Sequence, residues 1–327
     1  MSKVPVLVTG GAGYIGSHAV LALLDGGWSV TVIDDLSNGS REVVPGGVSF
    51  FEGDIADREL VDRVLREQRI GAIMHFAGSI VVPDSVERPL DYYRNNTIAS
   101  HSLISAAVAA DVGHILFSST AAVYGAPDRV PIEEGDAKQP INPYGASKLM
   151  TERMLADASA ACPFNYGALR YFNVAGADPK GRSGQIGKGS THLIKIAVEA
   201  ATGKRDHVAV FGTDYPTPDG TCIRDYIHVS DLASAHLLAV ESLLNGAPSN
   251  RFNVGTGKGY SVREVLQAVE EVTGKKVPYK FGPRREGDPP SLVADSTRLR
   301  QSLGWAPQHS DLKTIVKTAW NFDNSKR

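Results

Sequence analysis

Cysteine is nearly absent: Cys162 and Cys222 are the only two in 327 residues, and they form no CxxC pair. That pattern suggests no disulfide framework and fits a reducing compartment, so the cytoplasm is the expected setting. Long apolar runs are missing too. None approaches the ~20 residues of a membrane span, so no membrane partner is expected. Neither sign of charge forms a block: 34 Lys and Arg face 36 Asp and Glu, for a formal charge of −2. Nucleic acid is therefore not an expected partner. The nine histidines are scattered, with no HxxxH or HExxH spacing, so no metal site is expected. An apolar run begins at Val4, which leaves no room for a signal peptide as the sequence stands.

What is present is ordinary in bulk and specific in detail. Apolar residues make up 42% and charged residues 21%, as in a soluble globular protein. The length predicts about two domains. The most informative stretch is the first. Lys3 to Thr9 is a short apolar run, followed by Gly10-Gly11-Ala12-Gly13-Tyr14-Ile15-Gly16 and then by helical apolar spacing from Ser17 to Leu24. Strand, glycine turn and helix are the context of a dinucleotide fingerprint. Gly10 turns the chain, Gly13 lets backbone N–H groups approach a pyrophosphate, and Gly16 lets helix and strand pack closely. The positive helix end then faces the phosphates. A second apolar run, Ser29 to Ile33, ends in Asp34. A carboxylate there accepts from both ribose hydroxyls and repels a 2′-phosphate, which favours NAD over NADP.

Strand and helix patterns alternate through the first half. Strands are predicted at Val4–Thr9, Ser29–Ile33, Val48–Gly53, Ala72–Phe76, His114–Ser118 and Tyr166–Arg170. Helices are predicted at Ile15–Gly26, Arg58–Gln68, Pro89–Ala109 and Asn142–Ala160. Such alternation predicts an α/β fold with a doubly wound parallel sheet, Rossmann-like, and ligands beyond the carboxyl ends of the strands. Gly10, Asp34, Asp54, Ala77 and Ser118 all fall at those ends. The second half reads as Thr191–Ala201 (helix), Val208–Phe211 (strand), Val229–Leu244 and Val262–Thr273 (helices), a strand near Val277–Phe281, and a last helix near Asp311–Phe322. Gly-rich or polar loops are expected at Asp178–Gly189, Tyr215–Gly220 and Arg284–Pro290. Pro and Gly become denser after about Ala175. The expected division is a cofactor domain over 1–176 and a smaller α/β substrate domain over 177–327, with segments near 226–245 packing back on the first.

Tyr144 and Lys148 lie four apart on a predicted helix opened by Asn142-Pro143, which stacks them on one face. An ammonium beside a phenol lowers its pKa and readies it to move a proton at neutral pH. Thr120 ends the strand that carries Ser118 and Ser119. Its hydroxyl is placed to bind or relay the proton of an alcohol.

These residues carry a family resemblance that runs nearly end to end. The chain resembles the extended short-chain dehydrogenase/reductases, and within them the UDP-galactose (UDP-glucose) 4-epimerases. The shared segments are VTGGAGYIGSH at Val8–His18, EGDI at Glu52–Ile55, HFAG at His75–Gly78, YYRNN at Tyr92–Asn96, FSSTAAVYG at Phe117–Gly125, YGASK at Tyr144–Lys148 and RYFN at Arg170–Asn173. FGTDYPTPDGTCIRDYIHV at Phe211–Val229, FNVGTG at Phe252–Gly257 and PRREGD at Pro283–Asp288 follow. The resemblance implies a bound NAD, a UDP-sugar substrate and a homodimer. It places Gly10, Gly13, Tyr14, Ile15 and Gly16 at the pyrophosphate, Asp34 and Asn38 at the adenosine ribose, and Asp54 and Ile55 at the adenine. Phe76, Ala77 and Gly78 line the cofactor groove, Asn95 holds its wall, and Ser118, Tyr144, Lys148 and Tyr171 lie toward the nicotinamide. Tyr144 resembles the catalytic base, Lys148 its electrostatic partner and Thr120 the bridging hydroxyl. Phe172, Asn173, His192, Leu193, Phe211, Arg224, Arg285, Asp288 and Leu292 resemble substrate contacts.

Two arginines suit a diphosphate on physical grounds as well, each offering a planar fork of donors. Ile80 and His192 depart from well-known members, which carry Lys and Asn there. The expected activity is C4 oxidation of UDP-galactose or UDP-glucose, rotation of the 4-keto sugar and re-reduction. A dehydratase, a decarboxylase or an epimerase of another UDP-sugar are the alternatives within the fold, and a non-catalytic NAD-binding protein the alternative outside enzymes. Ala121-Ala122 after Thr120 argues against the dehydratase, which needs an acid–base pair there.

Overall fold

The computed structural model describes residues 3–186, 191–285 and 288–325. Its central sheet has seven strands: β1 (Val6–Thr9), β2 (Val30–Asp34), β3 (Ser49–Glu52), β4 (Ala72–His75), β5 (His114–Thr120), β6 (Asn165–Tyr171) and, late in the chain, Asn250–Val254. From one edge the order is β3-β2-β1-β4-β5-β6, with Asn250–Val254 outermost. The β1–β2, β2–β3, β1–β4 and β4–β5 pairs are parallel. The chain runs outward from β1 to β3 and returns to β4, so the order reverses beside β1. That is the switch point at which doubly wound sheets hold ligands. Strands buried on both faces read as unbroken apolar runs, as Val6, Leu7 and Val8 do.

Two compact units make up the chain. The first comprises 1–125, 138–170 and 233–252; the second comprises 126–137, 171–232 and 253–327. In the first, α1 (Tyr14–Asp25), α2 (Arg58–Glu67), α3 (Val82–Glu87), α4 (Pro89–Tyr92), α5 (Ala99–Ala109) and α6 (Pro143–Ala161) accompany the sheet. Leu7, Ile33, Ile73, Ile115, Phe117, Leu103 and Val64 form one buried cluster there. In the second, β7 (Asn173–Ala175), α7 (Leu193–Thr202), β8 (Val208–Phe211) and β9 (Ile223–His228) precede α8 (Val229–Leu244), which ends in the first unit. After β10, the Asn250–Val254 strand, come β11 (Gly259–Ser261), α9 (Val262–Thr273), β12 (Tyr279–Gly282), β13 (Ser291–Leu292), α10 (Thr297–Leu303) and α11 (Leu312–Ser325). A small sheet runs β11-β9-β13, with β7 also paired to β9. Ile194, Val198, Val265, Val269, Ile315 and Val316 bury the facing stripes of α7, α9 and α11.

Several elements depart from the expected ones. The single helix expected over Pro89–Ala109 is α4, a π-helical turn at Tyr93–Ile98 and α5. The turn swings Asn96 inward, where Nδ2 donates to the Ser79 carbonyl and to Ser147 Oγ, both at 3.0 Å, and Oδ1 accepts from Ser79 N–H at 2.7 Å. Strands β9 and β10 were not expected, because Arg224, Asp225 and Arg251 interrupt their apolar pattern. The strand expected near Val277–Phe281 begins two residues later, at Tyr279. The loop expected over Asp178–Gly189 is described only to Ile186; the rest lies outside the described residues, as do Glu286 and Gly287.

Candidate active site

The glycine turn leaves β1 with Gly10 at φ +71°. A side chain there is both strained and blocked, since a Cβ would lie 2.6 Å from the Ala77 nitrogen. A Cβ on Gly16 would lie 2.1 Å from the Gly10 carbonyl oxygen, so α1 approaches β1 only with glycine at that position. Gly13 is the N-cap of α1 and carries no capping side chain, so no cap side chain occupies the first N–H groups of the helix, which opens with Tyr14 and Ile15. Asp34 ends β2, buried. Its Oδ2 accepts from Ala12 N–H at 2.8 Å and its Oδ1 from Leu36 N–H at 2.9 Å. Burial raises its pKa, and these backbone donors oppose the rise.

Asn38 and Asp54 are exposed near the same strand ends, and Ile55 is buried. Phe76, Ala77 and Gly78 follow β4, half-buried, with Phe76 4.8 Å from the His236 ring. Gly78 sits at φ +150° against Asn96 Oδ1. Asn95 is exposed and donates to Ser79 Oγ at 3.1 Å. Its neighbour Asn96, given no role in the sequence, is the buried residue that holds the Gly78–Ser79 segment. Only the π turn reveals it.

Thr120 ends β5, and the Ala121–Tyr124 turn follows it. Asn142 caps α6 by accepting from Gly145 N–H at 2.8 Å. Tyr144 and Lys148 are both buried on α6, and Thr120 hydrogen-bonds to Tyr144. Lys148 Nζ donates to the Ser118 carbonyl at 3.1 Å and lies over the Phe117 ring. Burial pushes the Lys148 ammonium down to about 8. Burial also pushes Tyr144 up to about 12, with the Thr120 hydrogen bond opposing. This corrects the expectation that Lys148 draws the Tyr144 pKa down: in the chain alone desolvation dominates. His75 binds Thr9 Oγ1 and Ser100 Oγ, each at 2.8 Å. Burial, aided by the Lys148 charge, holds it down to about 3, so it stays neutral at working pH.

In the second unit, Arg224 on β9 is ion-paired with Asp288 and donates to the Ile223 carbonyl at 2.6 Å. Leu292 on β13 stands opposite Arg224 in register. Arg285 is exposed, its guanidinium 4.0 Å from the centre of the Phe211 ring. The neighbouring Arg284 is committed to Asp214, with Nε 2.7 Å from Oδ1. Phe172 is buried, Tyr171 half-buried and Asn173 exposed. Leu193 opens α7, and His192 before it shares a hydrogen bond with Gln185 Nε2 at 2.9 Å. Ile80, in the first unit, is 52% exposed. Asp225 was missed in the sequence. It is buried and accepts from Thr256 N–H, Thr256 Oγ1, Gly257 N–H and Ala294 N–H, which fixes the strand carrying Arg224. Among the described residues no group of three or more His, Cys, Asp or Glu is placed to hold a metal.

Sheet order, glycine cradle and strand-end acid define a doubly wound dinucleotide-binding protein. The chain belongs to the NAD dependent epimerase/dehydratase family, whose profile matches residues 6–255. It is 59% identical to the UDP-glucose 4-epimerase of Azospirillum brasilense over 320 residues, 98% of this chain and 92% of that one. The structure of the Brucella ovis UDP-glucose 4-epimerase in complex with NAD superposes with a TM-score of 0.95 at 46% identity, covering 98% of both chains. The UDP-Glc/GlcNAc 4-epimerase of Campylobacter jejuni gives 0.86 at 44% identity, covering 99% of this chain and 100% of that one.

Proposed function

We propose that this chain interconverts UDP-galactose and UDP-glucose, using an NAD that stays bound. The carrying observation is the Thr120–Tyr144 hydrogen bond at the end of β5, in the sheet whose β1 opens into the glycine cradle. The cradle and Asp34 fit a dinucleotide: Gly10 and Gly16 keep side chains out, and the acid borders the turn. We assign the cofactor to the first unit, held by Gly13, Tyr14, Ile15, Asp34, Asn38, Asp54 and Ile55, and by Phe76–Gly78. We assign the UDP to the second, held by Leu193, Phe211, Arg224, Arg285 and Asp288. When bound, oxidised NAD would supply a positive ring charge and a reversible acceptor for the C4 hydride, so that the hydride is restored when the keto sugar is reduced again. Tyr144 takes the proton of the sugar 4-hydroxyl, with Thr120 bound to both oxygens, and returns a proton after the 4-keto sugar has turned over. The Thr120 hydrogen bond favours the phenolate this requires. Arginine forks on the diphosphate anchor the substrate while the sugar rotates.

The purified protein is expected to release NAD on denaturation and to convert UDP-galactose to UDP-glucose without added cofactor. NADP alone, or accumulation of a keto sugar, overturns the reading.

Leu292 bears on which sugars are accepted. It lacks the ring of Tyr, so it leaves volume beside the strand that carries Arg224. Weak but measurable action on the N-acetylated pair is expected, and Leu292→Tyr is expected to remove it while sparing most UDP-galactose turnover. An unchanged ratio of the two activities shows that Leu292 does not gate the sugar.

We place the chain in the cytoplasm as a homodimer. Cys162 and Cys222 are free thiols, and no helix among the described residues is long and apolar enough to cross a membrane. Val86, Leu90, Ile98 and Met150 are 63%, 78%, 61% and 44% exposed on α3, α4, the π turn and α6. Exposed apolar groups on adjoining elements call for cover. Light scattering should give twice the chain mass, and Ile98→Glu should shift it toward the monomer. A wild-type monomer removes the dimer.

A further inference from the structure

Several buried polar groups around α6 take no part in proton transfer, yet they are joined to those that do. Glu152 lies two turns beyond Tyr144 on α6, on the stripe that also carries Lys148. Each turn of four residues advances about 6 Å along the helix. Successive residues at the end of β5 meet this stripe. The Ser118 carbonyl accepts from Lys148, the Ser119 hydroxyl donates to Glu152 Oε1 at 2.5 Å, and Thr120 bonds to Tyr144.

Glu152 is gripped in turn from β6. Arg170 Nε donates to its Oε1 at 2.9 Å and Arg170 Nη2 to its Oε2 at 2.5 Å, and both side chains are 2% exposed. The other arm of Arg170, Nη1, donates to Tyr124 Oη at 2.9 Å, and the guanidinium lies over that ring. Tyr124 closes the turn that starts directly after Thr120. A second cation, Arg251 on β10, is 3.5 Å from Glu152 Oε2 and partly exposed. Arg170 thus holds the helix of Tyr144 with one arm and the turn that continues from Thr120 with the other. A lysine has no fork to do both.

Stability alone does not account for such a pair. Desolvating two charges offsets most of their attraction, and an apolar pair of similar volume is often as stable. What the pair supplies is direction, since a bidentate ion pair fixes both distance and orientation.

We propose that Glu152 and Arg170 are positioning residues for proton transfer. Together they set the separation of Tyr144 from Thr120 by clamping α6 to the end of β5 and to the turn beyond it. The proposal rests on the reading of Tyr144 as the proton-transfer group. Misplacing a reacting group by 1 Å costs about 100-fold in rate.

The test is the double variant Glu152→Gln/Arg170→Met, which removes both charges and keeps an acceptor for Ser119. Melting temperature, bound NAD, UDP affinity and kcat on UDP-galactose are measured together. The expected result is a folded protein with NAD and UDP binding within about threefold of wild type and kcat lowered by about 100-fold. A kcat within about threefold of wild type overturns the proposal, and so does a fall in kcat that accompanies loss of bound NAD. If the double variant does not fold, Tyr124→Phe removes only the hydroxyl that Arg170 holds. It is expected to lower kcat by about 10-fold with binding unchanged, and an unchanged kcat overturns the proposal. Tyr144→Phe runs alongside. Retained turnover there takes down the proton-transfer reading and the positioning role with it; an inactive Tyr144→Phe beside a fully active double variant takes down the positioning role alone.

Discussion

Tyr144→Phe is expected to lower turnover by about 10²–10⁴-fold, the usual loss on removing a positioned acid or base. Bound NAD and UDP affinity are expected to stay near wild type. The substitution takes away only an oxygen that is buried and hydrogen-bonded to Thr120. Phe keeps the ring volume, so the packing of α6 against β5 is retained. The diphosphate is assigned to Arg224 and Arg285, in the other unit, which the change does not touch. Single-turnover measurements with UDP-galactose separate the effect on chemistry from that on binding. Turnover within about threefold of wild type would place the proton-transfer group elsewhere.

Gly16→Ala is expected to have the second large effect, on cofactor retention. The added Cβ would fall 2.1 Å from the Gly10 carbonyl oxygen and 2.9 Å from its carbon. Both are backbone atoms, so no side-chain rotation relieves the clash. Either α1 moves off β1 or the turn opens, and overpacking of this kind costs about 1–3 kcal/mol or more. Both routes displace the N–H groups at the start of α1, so the NAD content of the purified protein should fall to under about a tenth of wild type. The same substitution at Gly46, where a Cβ meets nothing within 4 Å, should leave NAD content and melting temperature unchanged. If Gly16→Ala carried a full complement of NAD, the cradle would not be where the phosphates bind.

Strands β1 to β6 and the glycine turn after β1 were legible because their signals are local. Gly10, Gly13 and Gly16 lie within one turn, and Tyr144 and Lys148 within one helical repeat. What escaped depends on partners distant in sequence. Ser119 and Glu152 are 33 residues apart, Arg170 and Tyr124 46, and Asp225 and Ala294 69. A buried Glu, Arg or Asp looks like a surface charge until its partner is known. Strand β9 was hidden for the same reason: Arg224 and Asp225 sit in mid-strand because each has an ionic or hydrogen-bonding partner, which no apolar periodicity reports. The π turn was hidden differently. Helical spacing on either side of Tyr93–Ile98 is intact, so no sequence pattern marks the turn that carries Asn96. The Tyr144 pKa was misjudged because spacing reveals a neighbour and says nothing of burial.

Asp34 carries a consequence for redesign. Its carboxylate borders the cofactor turn and is also pinned to that turn by the Ala12 N–H, while its other oxygen accepts from Leu36 N–H just beyond β2. An engineer who replaces it to admit a phosphorylated cofactor also unfastens the loop meant to hold that cofactor. Preference and framework share one side chain, so cofactor exchange in this scaffold calls for a paired change: a new anchor for the Ala12 amide together with the new charge.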